Sequence, residues 1–383
     1  MVRGKTGALF QALLVAASVT ALSIGVAHAQ QAGDLDTLGQ RILDNPQDVD
    51  LNLQYAAAAE AANKPRLALV AYERILINDP TNEEARRGYE RIRRAIEPGY
   101  TITRVEVGAR YDTNAVNISE DWYGDIPEST TYYGRAMIAD EREIGGRRWR
   151  SLLNLTLEDN DEFEDLNYGY LGAQTGPIFY VAPHIAAIPA VGVGVSMLAD
   201  EHYFSEAYAS LTIEGRATGV SYWARARGGY REFAENDDIW WVGPVSDNGT
   251  FFELQGGITK PHLLHERDTL TVQPFARWSS IDGDMFSFAP GSYTEYGVDV
   301  NYNYQLTDHV QLSAGAFLRE REFDGYERND TYVAPQVSVT LQRLLPCDCD
   351  VRLQYRTREN DSSEDFIYSY DAEQITFGLT TRF

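Results

Sequence analysis

Arginine recurs at short, even spacing along the C-terminal part of the chain. Arg225 and Arg227 are two residues apart, as are Arg319 and Arg321, while Arg352, Arg356 and Arg358 fall on one alternating face. A guanidinium stays charged at any physiological pH and presents a planar fork of donors, so a row of them has two uses. It lines a basic track for an anionic solute or an acidic protein segment, or it pairs with carboxylates into a ladder that stiffens a wall. Glu106, Glu158, Glu253 and Asp299 are read onto the same face, which makes the ladder the expectation and the track its alternative. The residues assigned to this face as the lining of an interior are Arg110, Arg225, Arg227, Arg277, Arg319, Arg352 and Arg356.

Other reactive side chains are sparse. Cys347 and Cys349 are the only cysteines and stand in Pro346-Cys347-Asp348-Cys349, where a disulfide across one residue would lock a turn in an oxidising compartment. Two thiols do not complete a structural zinc site. The six histidines are scattered, with His202 and His309 near strand ends and His262 and His265 flanking a short turn. No Gly-x-Ser-x-Gly elbow occurs, so no catalytic residue, cofactor or metal is assigned and an enzyme is not expected. Carboxylates crowd the segments between the alternating runs, from Glu158 to Asp165 and from Asp361 to Asp371, without the spacing of a twelve-residue calcium loop. With a net charge of −24 they argue against nucleic acid as a partner.

The elements that must carry these residues change character near Pro98-Gly99. From Thr101 onward the period is two, and fourteen strands are expected, near 101–111, 130–142, 147–159, 166–180, 185–199, 203–216, 219–232, 249–260, 268–280, 292–305, 309–322, 331–344, 350–359 and 371–383. Their faces differ: Val298, Val300, Tyr302 and Tyr304 oppose Gly297, Asp299, Asn301 and Asn303. An apolar face turned to lipid and a polar face turned inward is the pattern of a membrane barrel, where Arg or Lys against lipid at mid-depth costs about 2 to 4 kcal/mol. Short connections at Gly145-Gly146, Ala182-Pro183, Thr218-Gly219 and Thr307-Asp308 alternate with long ones, as periplasmic turns and outside loops do. Fourteen strands are too many for side chains alone to fill the interior, so a channel, open or plugged, is expected.

Before Pro98 the pattern is helical. Gln47 to Pro80 fits one 34-residue tetratricopeptide unit, with Tyr55 and Ala58 on a first helix, Asn63-Lys64-Pro65 at the turn and Ala68, Tyr72 and Leu76 on a second. A further helix carries Tyr89 after a cap at Thr81 or Asn82, and Tyr55, Tyr72 and Tyr89 are the candidates for holding a client segment. Residues 1–29 read as a signal peptide: Arg3 and Lys5, an apolar run, then Ala27-His28-Ala29. The expected organisation is therefore a leader over 1–29, a helical periplasmic domain over 30–98 and an outer-membrane β-barrel over 99–383.

The last strand alternates Ile375, Phe377, Leu379, Thr381 and Phe383 with Gln374, Thr376, Gly378, Thr380 and Arg382. Thr376, Gly378 and a closing Phe383 resemble the C-terminal signal read by the barrel assembly machinery, which is thereby an expected partner together with the outer-membrane bilayer. The whole arrangement resembles the surface lipoprotein assembly modifier family, and Tyr111-Asp112-Thr113-Asn114-Ala115-Val116-Asn117 is similar to the Tyr-Asp-x-Asn-x-Asn stretch that opens that family's barrel. The resemblance implies a monomeric barrel that moves lipoproteins or other secreted clients to the cell surface without a cofactor. This chain departs from the family in its short repeat array. The alternative is a passive or exopolysaccharide-exporting porin.

Overall fold

The computed structural model describes residues 32–80, 82–96, 99–126, 128–182, 184–217, 219–234, 246–283, 292–324, 328–343 and 349–383. The leader over 1–29 and Cys347 lie outside these residues. The chain divides into two units, Met1–Ile96 and Glu97–Phe383.

In the first unit four helices follow one another: α1 Ala32–Asp44, α2 Val49–Ala61, α3 Pro65–Asn78 and α4 Glu83–Ile96. Their ends obey local chemistry. Asp48 accepts from the Leu51 N–H and Asn82 from the Ala85 N–H, while Pro65 opens α3 where no N–H is needed. Alanines at 56, 59, 68, 71 and 85 let the helices approach closely, and Leu35, Tyr72, Ile75 and Ile92 fill the space between them. Among the described residues no helix is long and apolar enough to cross a membrane.

The second unit is one antiparallel sheet closed on itself. Its strands are β1 Gly99–Asp112, β2 Ser129–Ile144, β3 Arg147–Asn160, β4 Tyr168–Pro177 with its continuation Phe179–Ala182, β5 Ile185–Leu198, β6 Glu201–Ala217 and β7 Val220–Phe233. They are followed by β8 Ser246–Pro261, β9 Asp268–Gly283, β10 Tyr293–Gln305, β11 Val310–Phe323, β12 Asn329–Leu341, β13 Asp350–Ser362 and β14 Tyr370–Arg382. Each pairs with its sequence neighbours, and β14 closes the ring on β1, with Thr376 opposite Arg110 and Leu379 opposite Val107. Fourteen strands in a closed barrel leave no free edge. The expected strand over 166–180 is broken in the structure at Ile178, which packs on Ala186 and Ile188 of β5. Pro274 breaks the pairing of β9 with β8, and Pro335 that of β12 with β13, since proline has no N–H to give; each stays in register with the strand on its other side.

The outer surface carries Leu153, Leu157, Val191, Val193, Leu211, Phe252, Val337, Leu353, Ile375 and Phe377, all exposed. In water such a band would be a large apolar patch; around a barrel it is the lipid-facing belt. One end of the barrel is closed by tight turns, including Gly145-Gly146 with φ of 60° and 75°, the left-handed pair that a two-residue hairpin turn requires. The alternation of short and long connections is not strict: residues 262–267 make a longer link at the short-turn end than 324–328 do at the other. Ala199-Asp200, with φ of 52° and 61°, makes a two-residue turn at the long-loop end, and the segment between β12 and β13 is long at the short-turn end. Cys349 lies in that segment, buried and disulfide-bonded.

Candidate functional site

Alternation carries every second side chain of these strands inward, and arginine and glutamate recur in the inward set. Glu206 of β6 accepts from Arg227 and, at 2.9 Å, from Arg231 of β7. Arg227 also reaches Glu253 of β8 at 3.5 Å; Glu253 pairs with Arg277 of β9 at 2.8 Å, Arg277 with Glu295 of β10 at 2.8 Å, and Glu295 with Arg321 of β11 at 2.7 Å. Six adjacent strands are thus joined by one chain of charges. Each glutamate in it is nearly inaccessible and serves two guanidiniums, which offsets the cost of removing the charges from water.

Further pairs extend the wall. Glu158 of β3 holds Arg110 of β1 at 2.9 Å and Arg135 of β2 at 3.0 Å. Toward the short-turn end Glu141 pairs with Arg148 and Arg150, and Arg150 forks onto Glu214 with both terminal nitrogens at 2.8 Å.

The segment that leaves β1 is fixed from the far end of the chain. Arg358 of β13 pairs with Asp112, donates to the Asn114 carbonyl at 2.9 Å and to Asn117 Oδ1 at 2.5 Å. Asp112 also accepts from the Asn114 N–H and from Gln374, each at 3.0 Å. Asn117 adopts φ of 59°, a conformation asparagine tolerates better than most residues. Above this root the first long loop and the last one meet. Ser119 N–H donates to the Ile367 carbonyl at 2.9 Å, and Trp122 meets Phe366 edge to face at 5.8 Å, linking the short helices α5 Glu120–Tyr123 and α6 Asp365–Tyr368.

Not every interior arginine is neutralised. Among the described residues Arg225, Arg319, Arg352 and Arg356 have no carboxylate within 4.0 Å. Arg225 donates to Gln255 at 2.6 Å and Arg356 to Gln336 at 2.5 Å, both neutral amides, while Arg319 lies 4.9 Å from the centre of the Tyr332 ring. The seven arginines assigned to the interior therefore divide: Arg110, Arg227 and Arg277 belong to the ladder, and these four keep their charge for the lumen.

Aromatic rings also line the interior, lying on the wall over glycines. A Cβ at Gly257 would fall 2.1 Å from Trp223 Nε1, one at Gly297 2.7 Å from the Phe275 ring, and one at Gly192 2.3 Å from the Tyr208 ring. Tyr133 of β2 crosses both Gly108 of β1 and Gly378 of β14 in this way. Gly378 thus has a local reason beyond any signal, since it beds the Tyr133 hydroxyl. Phe383 has an exposed side chain, and its backbone pairs with Thr103 at 2.9 and 3.0 Å.

In the helical unit Tyr72 is buried, with its hydroxyl donating to Glu60 at 2.7 Å, and Arg91 pairs with the same carboxylate. Tyr55 and Tyr89 pack against the helical core. All three tyrosines are thus committed wholly or partly to packing. Among the described residues no group of three or more His, Cys, Asp or Glu is placed to hold a metal.

No family model and no curated protein matches the chain. Solved structures that resemble it are the outer-membrane channel DcaP of Acinetobacter baumannii, 9% identical with a TM-score of 0.43 over 74% of this chain and 97% of that one. A loop-deletion form of OmpT of Vibrio cholerae is 11% identical, with a TM-score of 0.40 over 75% and 100%. An anion-selective porin from Comamonas acidovorans is 8% identical, with a TM-score of 0.39 over 74% and 99%.

Proposed function

We propose that this chain is an outer-membrane channel through which small anionic solutes cross. The observation that carries this reading is the set of four lumen arginines, Arg225, Arg319, Arg352 and Arg356, without carboxylate partners among the described residues. A fixed positive charge inside a low-dielectric wall lowers the barrier for an anion and raises it for a cation. The acidic loops outside act in the opposite sense, and salt screens them within about 8 to 10 Å. Proteoliposomes carrying the full chain should swell faster in isosmotic solutions of small organic anions than in solutions of cations of equal size. Equal swelling with both would reject anion passage.

A second reading follows from the resemblance to the surface lipoprotein assembly modifiers, in which the barrel and the helical unit together export a lipoprotein or secreted client. It is supported by an apolar stripe on α3: Leu67, Val70 and Ile77 are exposed along one side of that helix. Its test is the surface content of lipoproteins in cells with and without this chain. Loss of one lipoprotein from the surface, with its periplasmic pool retained, would favour export over passive diffusion.

A further inference from the structure

One row of the lumen wall differs from its neighbours. Phe275 of β9, Gly297 of β10, Arg319 of β11 and Tyr332 of β12 stand directly opposite one another in register across four consecutive strands. Phe317, two residues before Arg319 on the same inward face, completes the group. The Phe275 and Phe317 rings are stacked with centroids 5.5 Å apart and planes 9° from parallel, and Tyr332 meets Phe317 edge to face at 5.8 Å. Gly297, without a side chain, lets the Phe275 ring lie across β10 to reach Phe317, and a Cβ there would fall 2.7 Å from that ring.

Arg319 is the cation of this row. No carboxylate lies within 4.0 Å of it among the described residues, and its buried Nε has no hydrogen-bond partner. The neighbouring Arg321 is held by Glu295, so that glutamate is occupied. Asp299 stands opposite Phe317 in register.

A planar π face beside a guanidinium with donors to spare satisfies two demands at once, ring stacking and bidentate capture of a carboxylate. We propose that Phe275, Phe317, Tyr332 and Arg319 form a subsite for small aromatic carboxylates, the carboxylate on Arg319 and the ring against the phenylalanines. The proposal names the solute class within the channel reading and rests on it for its physiological meaning, but binding itself does not require conduction. An aliphatic acid of the same charge satisfies only the arginine, and a neutral aromatic only the rings.

Calorimetric titration of the detergent-purified full chain with benzoate, cyclohexanecarboxylate and benzyl alcohol tests this directly. Saturable benzoate binding is expected, with the other two weaker by on the order of tenfold. Arg319→Gln and Phe317→Leu should each weaken benzoate by roughly tenfold, as loss of a charge-assisted bond or a stacking face does. Heat-modifiable mobility identifies folded variants, and the two substitutions serve independently if one fails to fold. Absence of saturable benzoate binding, binding no tighter than cyclohexanecarboxylate, or binding unchanged in a folded Arg319→Gln or Phe317→Leu variant would overturn the subsite. Conductance measured on the same preparation separates the two claims. A conducting protein that does not bind benzoate loses the subsite and keeps the channel; a binding protein that does not conduct keeps the subsite and loses the channel.

Discussion

Arg358 and Asp112 are 246 residues apart in sequence and form one buried ion pair. Asn117 Oδ1 and the Asn114 backbone carbonyl accept from the same guanidinium, while the Asn114 side chain folds the turn itself, accepting from the Asn117 N–H at 2.9 Å and donating to the Ile118 carbonyl at 2.8 Å. Arg358→Gln should therefore free the root of the first long loop while the barrel still closes. Limited proteolysis from outside should cut between residues 113 and 128 faster in the variant than in the wild type. Equal cutting would mean that the contacts between Ser119 and Ile367 and between Trp122 and Phe366 hold the loop alone.

Glu253 is the centre of the charge ladder, nearly inaccessible and shared by Arg227 and Arg277. Glu253→Ala leaves two guanidiniums competing for Glu206 and Glu295, and should cost on the order of 3 kcal/mol. The temperature at which the folded electrophoretic form is lost should fall clearly. A variant that melts with the wild type would show that the ladder contributes nothing to the wall.

Gly378 lies under Tyr133, whose hydroxyl would be 2.8 Å from an added Cβ. Gly378→Val should destabilise the barrel by about 1 to 3 kcal/mol, and adding Tyr133→Ala should recover part of that loss. Phe383→Asp tests a separate role, because its side chain is exposed and few folded contacts are at stake. Reduced insertion into the outer membrane with Phe383→Asp, and restored insertion in the Gly378 and Tyr133 double variant, would assign assembly to the terminal residue and packing to the glycine. Normal insertion of Phe383→Asp would remove it from any assembly signal.

Burial, reinforced by Glu60, raises the Tyr72 pKa above its ordinary 10.0. A group whose pKa is higher folded than unfolded stabilises fully below the unfolded value and loses that contribution as the pH climbs through the folded one. The helical signal of the full chain should therefore melt at lower temperature once the pH passes 10, and Tyr72→Phe should flatten that dependence. An equal alkaline loss in both proteins would point to another group.

Much of this architecture is legible in residue order, and the limits have physical causes. Alternation placed the strands and their faces because lipid and water demand opposite chemistry on successive residues, and Gly145-Gly146 marked its turn through a backbone need local to two residues. Which arginines are neutralised was not legible. Arg227 meets Glu206 and Arg358 meets Asp112 through pairings between strands, and nothing near Arg319 or Arg225 in sequence distinguishes them from Arg321 or Arg227. The aromatic wall is hidden from the sequence for the same reason. Tyr133, Tyr170 and Tyr208 lie on the wall beside Trp223 and Phe275 because glycines make room for them. A faint signal existed in the glycines on inward positions at Gly192, Gly297 and Gly378. The break at Ile178 and the two-residue turn at Ala199-Asp200 carry no such mark.

The reversal potential of the full chain in a planar bilayer, under a tenfold potassium chloride gradient, tests the central claim most directly. Chloride should be favoured over potassium. Replacing Arg225, Arg319, Arg352 and Arg356 together by glutamine should move the potential toward zero or beyond it to cation preference, with the folded electrophoretic form retained. A wild-type channel that prefers potassium, or a folded quadruple variant with unchanged selectivity, would contradict the account.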